Sequence, residues 1–206
     1  PREAFTDCDF VCFTDDPTLD SGVWKIIYVP ADKRTPASLN RQYKILAHRY
    51  LSQYRYSLYV DGNIRVVGNP RDLIDKYLLQ YRIAIPSHPE RNCVYEEAKA
   101  CVAKGVVPAP DVESQIAEYS NDGFPKNAGL SENGVILRDH NDSAVIRLME
   151  DWWDSYVKQS KRDQLALPYL RWRHGVQIGE IVEGPRVSTK YFTIGLHAAD
   201  YNASWV

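Results

Sequence analysis

Short apolar runs alternate along this chain with amphipathic helical stretches, and that alternation limits the folds open to it. Strand-like runs are read at 8–14 (CDFVCFT), 24–29 (WKIIYV), 56–60 (YSLYV), 83–86 (IAIP) and 134–140 (GVILRDH). Between them, 36–54 carries Leu39, Tyr43, Leu46, Ala47 and Tyr50 at helical spacing, with Arg41, Lys44, His48 and Arg49 on the other face. A second amphipathic stretch, RDLIDKYLLQY, follows Asn69-Pro70, with proline at its start. VYEEAKACVAKG then runs to a glycine stop, and DVESQIAEYSNDG has Asp111 as its candidate N-cap. SAVIRLMEDWWDSYVKQS is the longest helical pattern, and RDQLALPYLRWRHG follows it. Further strand-like pieces lie around 177–183 and 191–195. Strands alternating with helices predict an α/β fold with a mainly parallel sheet flanked by helices. At 206 residues, one domain over 1–206 is expected.

Composition narrows the class. A net charge of −2 argues against a nucleic-acid partner. No apolar run reaches the length of a membrane span and no signal peptide opens the sequence, so no membrane span and a cytoplasmic location are expected. The four cysteines form no CxxC pair and no Cys/His metal spacing, so they read as free thiols filling small core positions. Fourteen Tyr and five Trp suit sugar stacking, but they suit core edges equally.

The run Ser57-Leu58-Tyr59-Val60 ends in Asp61-Gly62-Asn63, and a second apolar run follows. Asp-Gly between apolar runs is a strong hairpin signal. Two oxygen-bearing side chains at the end of a buried strand can equally hold a hard divalent cation beside a phosphate. In open α/β sheets, ligands bind outside the carboxyl ends of the strands. Both CFTDD and YVDGN end in acidic residues, which points to more than two incidental turns.

The motifs DFVCFTDD, RQYKILAHRYL, YSLYVDGNI, HPERNCVYEEA, GVILRDHN and RDQLALPYLRW occur in that order over residues 7–172. Together they resemble a family of glycosyltransferase-like domains that includes plant proteins linked to mucilage and pectin synthesis, with bacterial relatives. The resemblance implies a GT-A-like, Rossmann-like fold binding a nucleotide sugar, with an Asp-x-Asp tip holding Mn²⁺ or Mg²⁺ against the diphosphate. Here the tip has Asn63 in place of the second carboxylate, which removes one charge from the metal set. The family carries a strand before DFVCFTDD, whereas little more than Pro1–Asp7 precedes it here, so that strand is expected to be either truncated or very divergent.

The resemblance also implies roles. A UDP-linked sugar is the expected donor, with an unidentified glycan or small-molecule acceptor. Metal is assigned to Asp61, Asn63 and His197, with His140 and His174 as lesser candidates for the late histidine. Arg41 and Lys44 are assigned to the diphosphate, and His48 shares their helix face. Asp15 and Asp16 are assigned to the uracil or ribose, against an Asx turn before Pro17. His88 and Arg91, just past a strand end, are assigned to the donor sugar or acceptor. Asp163 is assigned acceptor-side chemistry as a base or sugar contact, with Arg162 and Gln164 positioning; as a bare residue it could equally cap a helix. Two alternatives stand beside the enzyme reading: a non-catalytic nucleotide-sugar or carbohydrate-binding domain, and a nucleotidyltransferase on a similar sheet.

Overall fold

A computed structural model describes residue 5 and residues 7–30 and 32–195. Its central sheet has four strands in the order β3-β6-β5-β7: β3 is Tyr56–Val60, β5 Ile83–Ile85, β6 Val135–Asp139 and β7 Gly179–Glu180. All five residues of β6 are buried, because strands flank it on both sides and apolar layers cover both faces. Period-2 alternation divides those residues between two cores. Ile136 joins Ile83, Ile85, Leu148, Trp152 and Leu165 in one, and Val135 and Leu137 join Val66, Leu73, Leu78 and Phe192 in the other.

The first core lies under the long helices α4 (Val94–Ala103), α5 (Ala109–Asn121), α6 (Ser143–Lys158) and α7 (Asp163–His174). The second lies under α3 (Pro70–Leu73), the π-helical stretch Ile74–Leu78 that continues it, and a ribbon of β4 (Ile64–Val66) with β8 (Phe192–Ile194). A separate parallel pair joins β1 (Phe10–Thr14) to β2 (Trp24–Tyr28). None of the helices is long and apolar enough to cross a membrane, among the described residues.

The expectation of a mainly parallel sheet is corrected. β6 runs antiparallel to both neighbours, β3 and β5, and β4 is antiparallel to β8; among the described residues only β1·β2 and β5·β7 are parallel. One helical crossover returns a chain to the end of the sheet it started from. Between β5 and β6 the chain makes two helical passes, α4 and α5, and so enters β6 from the opposite end. The fold is mixed α/β, with small, partly antiparallel sheets.

Two helical readings are also corrected. The pattern at 36–54 folds as α1 (Pro36–Ile45) and α2 (Ala47–Tyr50), broken at Leu46. Arg138, wholly buried in β6, donates through Nη2 to Lys44 O at 2.6 Å and through Nη1 to Ile45 O at 3.3 Å. Those carbonyls are satisfied from outside the helix, so the helix ends there. Asp111 does not cap α5, which begins at Ala109 behind Pro108; Asp111 lies in its first turn. The four cysteines are free thiols.

Candidate active site

The turn at the end of β3 is the first corner of the site. Ile64 N donates to Asp61 O at 2.8 Å, so Asp61-Gly62-Asn63 does form a turn. It is no hairpin, because β4 leaves to pair with β8 and β3 pairs with β6. Asp61 N donates to Gly134 O at 2.8 Å, tying the turn to the start of β6. Tyr59 Oη donates to Asp61 Oδ1 at 2.7 Å, fixing the carboxylate. Burial, followed by the adjacent carboxylate, pushes the Tyr59 phenol far up, so it stays a donor. A Cβ at Gly134 would lie 3.2 Å from Asp61 Oδ2, so the glycine keeps space open beside that oxygen.

The second corner is a buried charge cluster. Lys44 Nζ lies 2.7 Å from Asp163 Oδ2, and Arg41 Nε lies 3.2 Å from the same oxygen. The Lys44 and Asp163 side chains are 2% and 4% exposed, so this is no solvated helix face. Burial alone would raise the Asp163 pKa, but Lys44 and Arg41 outweigh it and hold the carboxyl down at about 2. Burial pulls the Lys44 ammonium downward, opposed by Asp163 and Asp61. The start of α7 is held by the buried Trp152, whose Nε1 donates to Asp163 O at 2.7 Å. Asp163 is the first residue of α7 and Arg162 precedes it, so the N-cap reading does not hold.

The third corner surrounds Glu97, on the inner face of α4. Arg91 Nε donates to Glu97 Oε2 at 2.6 Å, and Cys101 Sγ donates to Oε1 at 3.3 Å. His88 Nε2 and Arg162 Nη2 lie at 3.8 and 3.7 Å. Burial raises the Glu97 pKa, and the bonds from Arg91 and Cys101 lower it by more, so the carboxylate is ionised. His88 is fixed through Nδ1, which accepts from Arg91 N at 3.0 Å.

These corners line one cavity of about 360 Å³. Of the sequence-predicted site residues, it brings together Arg41, Lys44, Asp61, Asn63, His88, Arg91, Arg162, Asp163 and Gln164. It does not include Asp15 or Asp16, which are exposed beyond β1; Asp16 makes the Asx turn, accepting from Thr18 N at 2.8 Å. His48 turns instead to Glu150 at 2.7 Å, because the break at Leu46 puts it on α2. His140 Nε2 reaches Leu51 O at 3.0 Å and His174 Nε2 reaches Asp151 at 2.8 Å, so neither lines the cavity. His197 lies outside the described residues.

A family model described as the TOD1/MUCI70 glycosyltransferase-like domain matches residues 11–182. The chain belongs to this family. The probable hexosyltransferase MUCI70 of Arabidopsis thaliana is 28% identical over 162 residues, covering 73% of this chain. The matched region is 28% of that relative's length, so the chain spans well under half of it. The family drawn from the motifs is thereby borne out.

Among the cavity residues that escaped the sequence reading are Glu97 and Asn133, and Arg138, which holds the end of α1 from outside the cavity, escaped it too. Glu97 sits three after Val94 and four before Cys101, on the apolar face of α4, and an acid on an apolar face signals a buried partner. Arg138 interrupts an otherwise apolar strand, the same kind of signal. Asn133 has no such mark; only the fold brings it to the cavity.

Proposed function

We propose that this chain is a glycosyltransferase domain that binds a UDP-linked sugar in this cavity and moves the sugar to a glycan or small-molecule acceptor. The observation that carries the reading is Lys44 and Arg41, fixed by buried Asp163, lining the same cavity as a carboxylate at a strand's end. When a nucleotide diphosphate leaves a sugar, negative charge grows on its phosphate oxygens. Pre-oriented cations aimed at that charge lower the barrier without reorganisation. Arg41 and Lys44 do this here, and Asp163 keeps both in place.

A divalent cation fits the tip. Asp61 Oδ2 has space beside it, and Asn63 adds an oxygen from two residues along. No group of three or more His, Cys, Asp or Glu side chains is gathered for a metal among the described residues. Asp61 and Asn63 would therefore hold Mn²⁺ or Mg²⁺ with waters and phosphate oxygens completing the set. Such an ion supplies Lewis-acid neutralisation of the leaving diphosphate.

Asp163 is better suited to holding the cations than to taking a proton. A carboxylate with a pKa of about 2 is a weak base near neutral pH. Arg162 Nη2 donates to Gln164 Oε1 at 2.7 Å, and Gln164 Nε2 donates to Ser131 O at 3.0 Å, which supports their positioning role. His88 and Arg91, paired through Glu97, face the donor sugar or the acceptor. Asp15 remains assigned to the nucleoside end of the donor, with Asp16 spent on its own turn.

The test is hydrolysis of UDP-sugars by the isolated domain with Mn²⁺. Asp61→Ala and Lys44→Met are each expected to reduce turnover by about 10²-fold or more. A wild-type domain that binds UDP-sugars but never cleaves them would favour the binding-module reading.

A further inference from the structure

A transfer between two substrates needs a place where they meet, and a group there to take the proton that the acceptor hydroxyl loses. A second cavity of about 360 Å³ adjoins the first, with apolar walls of Pro86, Ile181, Val182 and Val187. His88, Pro89, Glu132 and Arg186 line both cavities. Among the described residues, Glu132 is the one carboxylate at this seam.

Glu132 is placed by its backbone. Glu132 N donates to Pro86 O and His88 N to Leu130 O, each at 2.8 Å, and Ser87 forms an antiparallel bridge to Ser131. Two residues on, Gly134 O accepts from Asp61 N at 2.8 Å, so one segment carries the seam carboxylate and braces the Asp61 turn. The Glu132 side chain is 20% exposed, and its Oε1 accepts from Arg186 Nε. That bond uses one of two carboxylate oxygens. Arg186 is itself exposed, so it can swing aside without stranding a buried charge.

The other groups near the seam are spent. Asp163 is locked between Lys44 and Arg41, and buried Glu97 is bound by Arg91 and Cys101. Asp61 accepts from Tyr59 at the proposed cation position. Glu90 is exposed and pairs with Arg91. His88 Nδ1 accepts from Arg91 N at 3.0 Å and from Glu90 N at 3.2 Å. The neutral ring then carries its proton on Nε2, and neither nitrogen is left to take another.

We propose that Glu132 is the catalytic base of the transfer, an assignment that rests on the glycosyltransferase reading above. An acceptor hydroxyl at the seam gives its proton to Glu132 as its oxygen bonds to the anomeric carbon of the donor sugar. The bond from that carbon to the diphosphate breaks on the opposite face, and its electron pair leaves with the diphosphate beside Arg41 and Lys44. A single displacement inverts the anomeric configuration, so an α-linked donor gives a β-linked product.

The test is cleavage of UDP-glucose, UDP-galactose and their uronic acid counterparts, all α-linked, in Mn²⁺ with methanol as the acceptor. Donor calorimetry and a thermal melt run beside it. Wild type is expected to form the methyl β-glycoside. Glu132→Gln keeps the size and an acceptor for Arg186 but cannot take the proton. Its turnover on the donor that wild type prefers is expected to fall about 10²-fold or more, with donor affinity within about twofold. Its melt is expected to stay near wild type, because the pair with Arg186 is exposed. Sodium azide, a nucleophile with no proton to lose, is expected to restore cleavage in Glu132→Gln and give the β-glycosyl azide. A methyl α-glycoside from wild type would overturn the assignment, and this result stands even if the variant loses its fold. Normal methanolysis by Glu132→Gln would also overturn it. So would a loss that azide leaves unrepaired, which is what a structural role gives. Wild type that cleaves none of these donors would overturn the glycosyltransferase reading itself, an outcome distinct from the others.

Discussion

Asp163 shows how one residue sets the state of two others. Its carboxylate is buried, and so is the Lys44 ammonium it faces, 119 residues away in sequence. Removing one partner of a buried pair strands the other charge, which typically costs about 3–5 kcal/mol. Asp163→Asn is therefore expected to destabilise the domain by about 3 kcal/mol in a denaturant melt. Pairing with Asp163→Leu and Lys44→Met together should recover much of that. A double variant no more stable than Asp163→Asn would mean that the pair is not what holds this corner. The pH dependence follows the same charge. The folded pKa, about 2, lies below the usual value near 4 for an unfolded Asp. The unfolded state thus takes up the proton first as pH falls. The contribution of Asp163 is complete above about pH 4 and is lost as pH drops toward about 2. Asp163→Asn should remove that part of the acid-unfolding curve while leaving the region above pH 5 parallel to wild type. At this scale the charged residues were legible in the sequence as types on helix faces. Their pairing was not, since nothing local links position 44 to position 163.

At the scale of elements, the site depends on how α1 ends and how β6 begins. Arg138 reaches from β6 to the last carbonyls of α1, and its Nε donates to Ser57 Oγ of β3 at 3.1 Å. It is thus the join between the sheet and the helix that carries Arg41 and Lys44. Arg138→Met keeps much of the volume but leaves buried carbonyls unsatisfied, at about 1–3 kcal/mol. We expect that loss in stability together with weaker UDP binding, because α1 is no longer held at its end. A variant with a lower melt but unaltered UDP affinity would limit Arg138 to the core. Gly134 gives the complementary case. Its Cβ would lie 3.2 Å from both Asp61 Oδ2 and Ile64 Cδ1, closer than side chains normally approach. Gly134→Ala should weaken Mn²⁺-dependent UDP binding several-fold while leaving metal-free binding near wild type. Equal effects with and without metal would separate Gly134 from the Asp61 turn. Most elements were legible, because apolar periodicity reports which face is buried. β3, β5, β6, α4, α6 and α7 all form where the pattern puts them. Strand direction does not follow from the alternation of strands and helices alone: both helical patterns between 83–86 and 134–140 are legible, and it is their number, two passes rather than one, that reverses β6. The break at Leu46 was hidden too, because the group that satisfies the carbonyls comes from another element.

Across the whole molecule, the cavity draws on α1, the β3 turn, the segment after β5, α4, the start of β6 and the start of α7. Six Lys and Arg side chains line it against five carboxylates, although the chain as a whole carries −2. If the proposed diphosphate donor binds here, it meets a locally favourable site on a protein whose overall charge opposes it, and the attraction is short-ranged under salt. Because the walls come from so many elements, a ligand that binds only the folded state stabilises the fold as a unit. At about 100 times its Kd, UDP with Mn²⁺ should add about 2.7 kcal/mol. For a domain of this size that corresponds to a rise in Tm of roughly 5–10 °C. If Asp61 and Asn63 hold an ion against the phosphates, the same UDP concentration with a chelator in place of Mn²⁺ should give a clearly smaller rise. Some rise should survive, because Arg41 and Lys44 remain. Uridine should give almost none in either condition, having no phosphate for these groups to meet. Equal shifts with metal and with chelator would leave the cationic side chains as the whole phosphate site and remove Asp61 from metal binding. Equal shifts for UDP and uridine would remove the phosphate role from the cavity altogether.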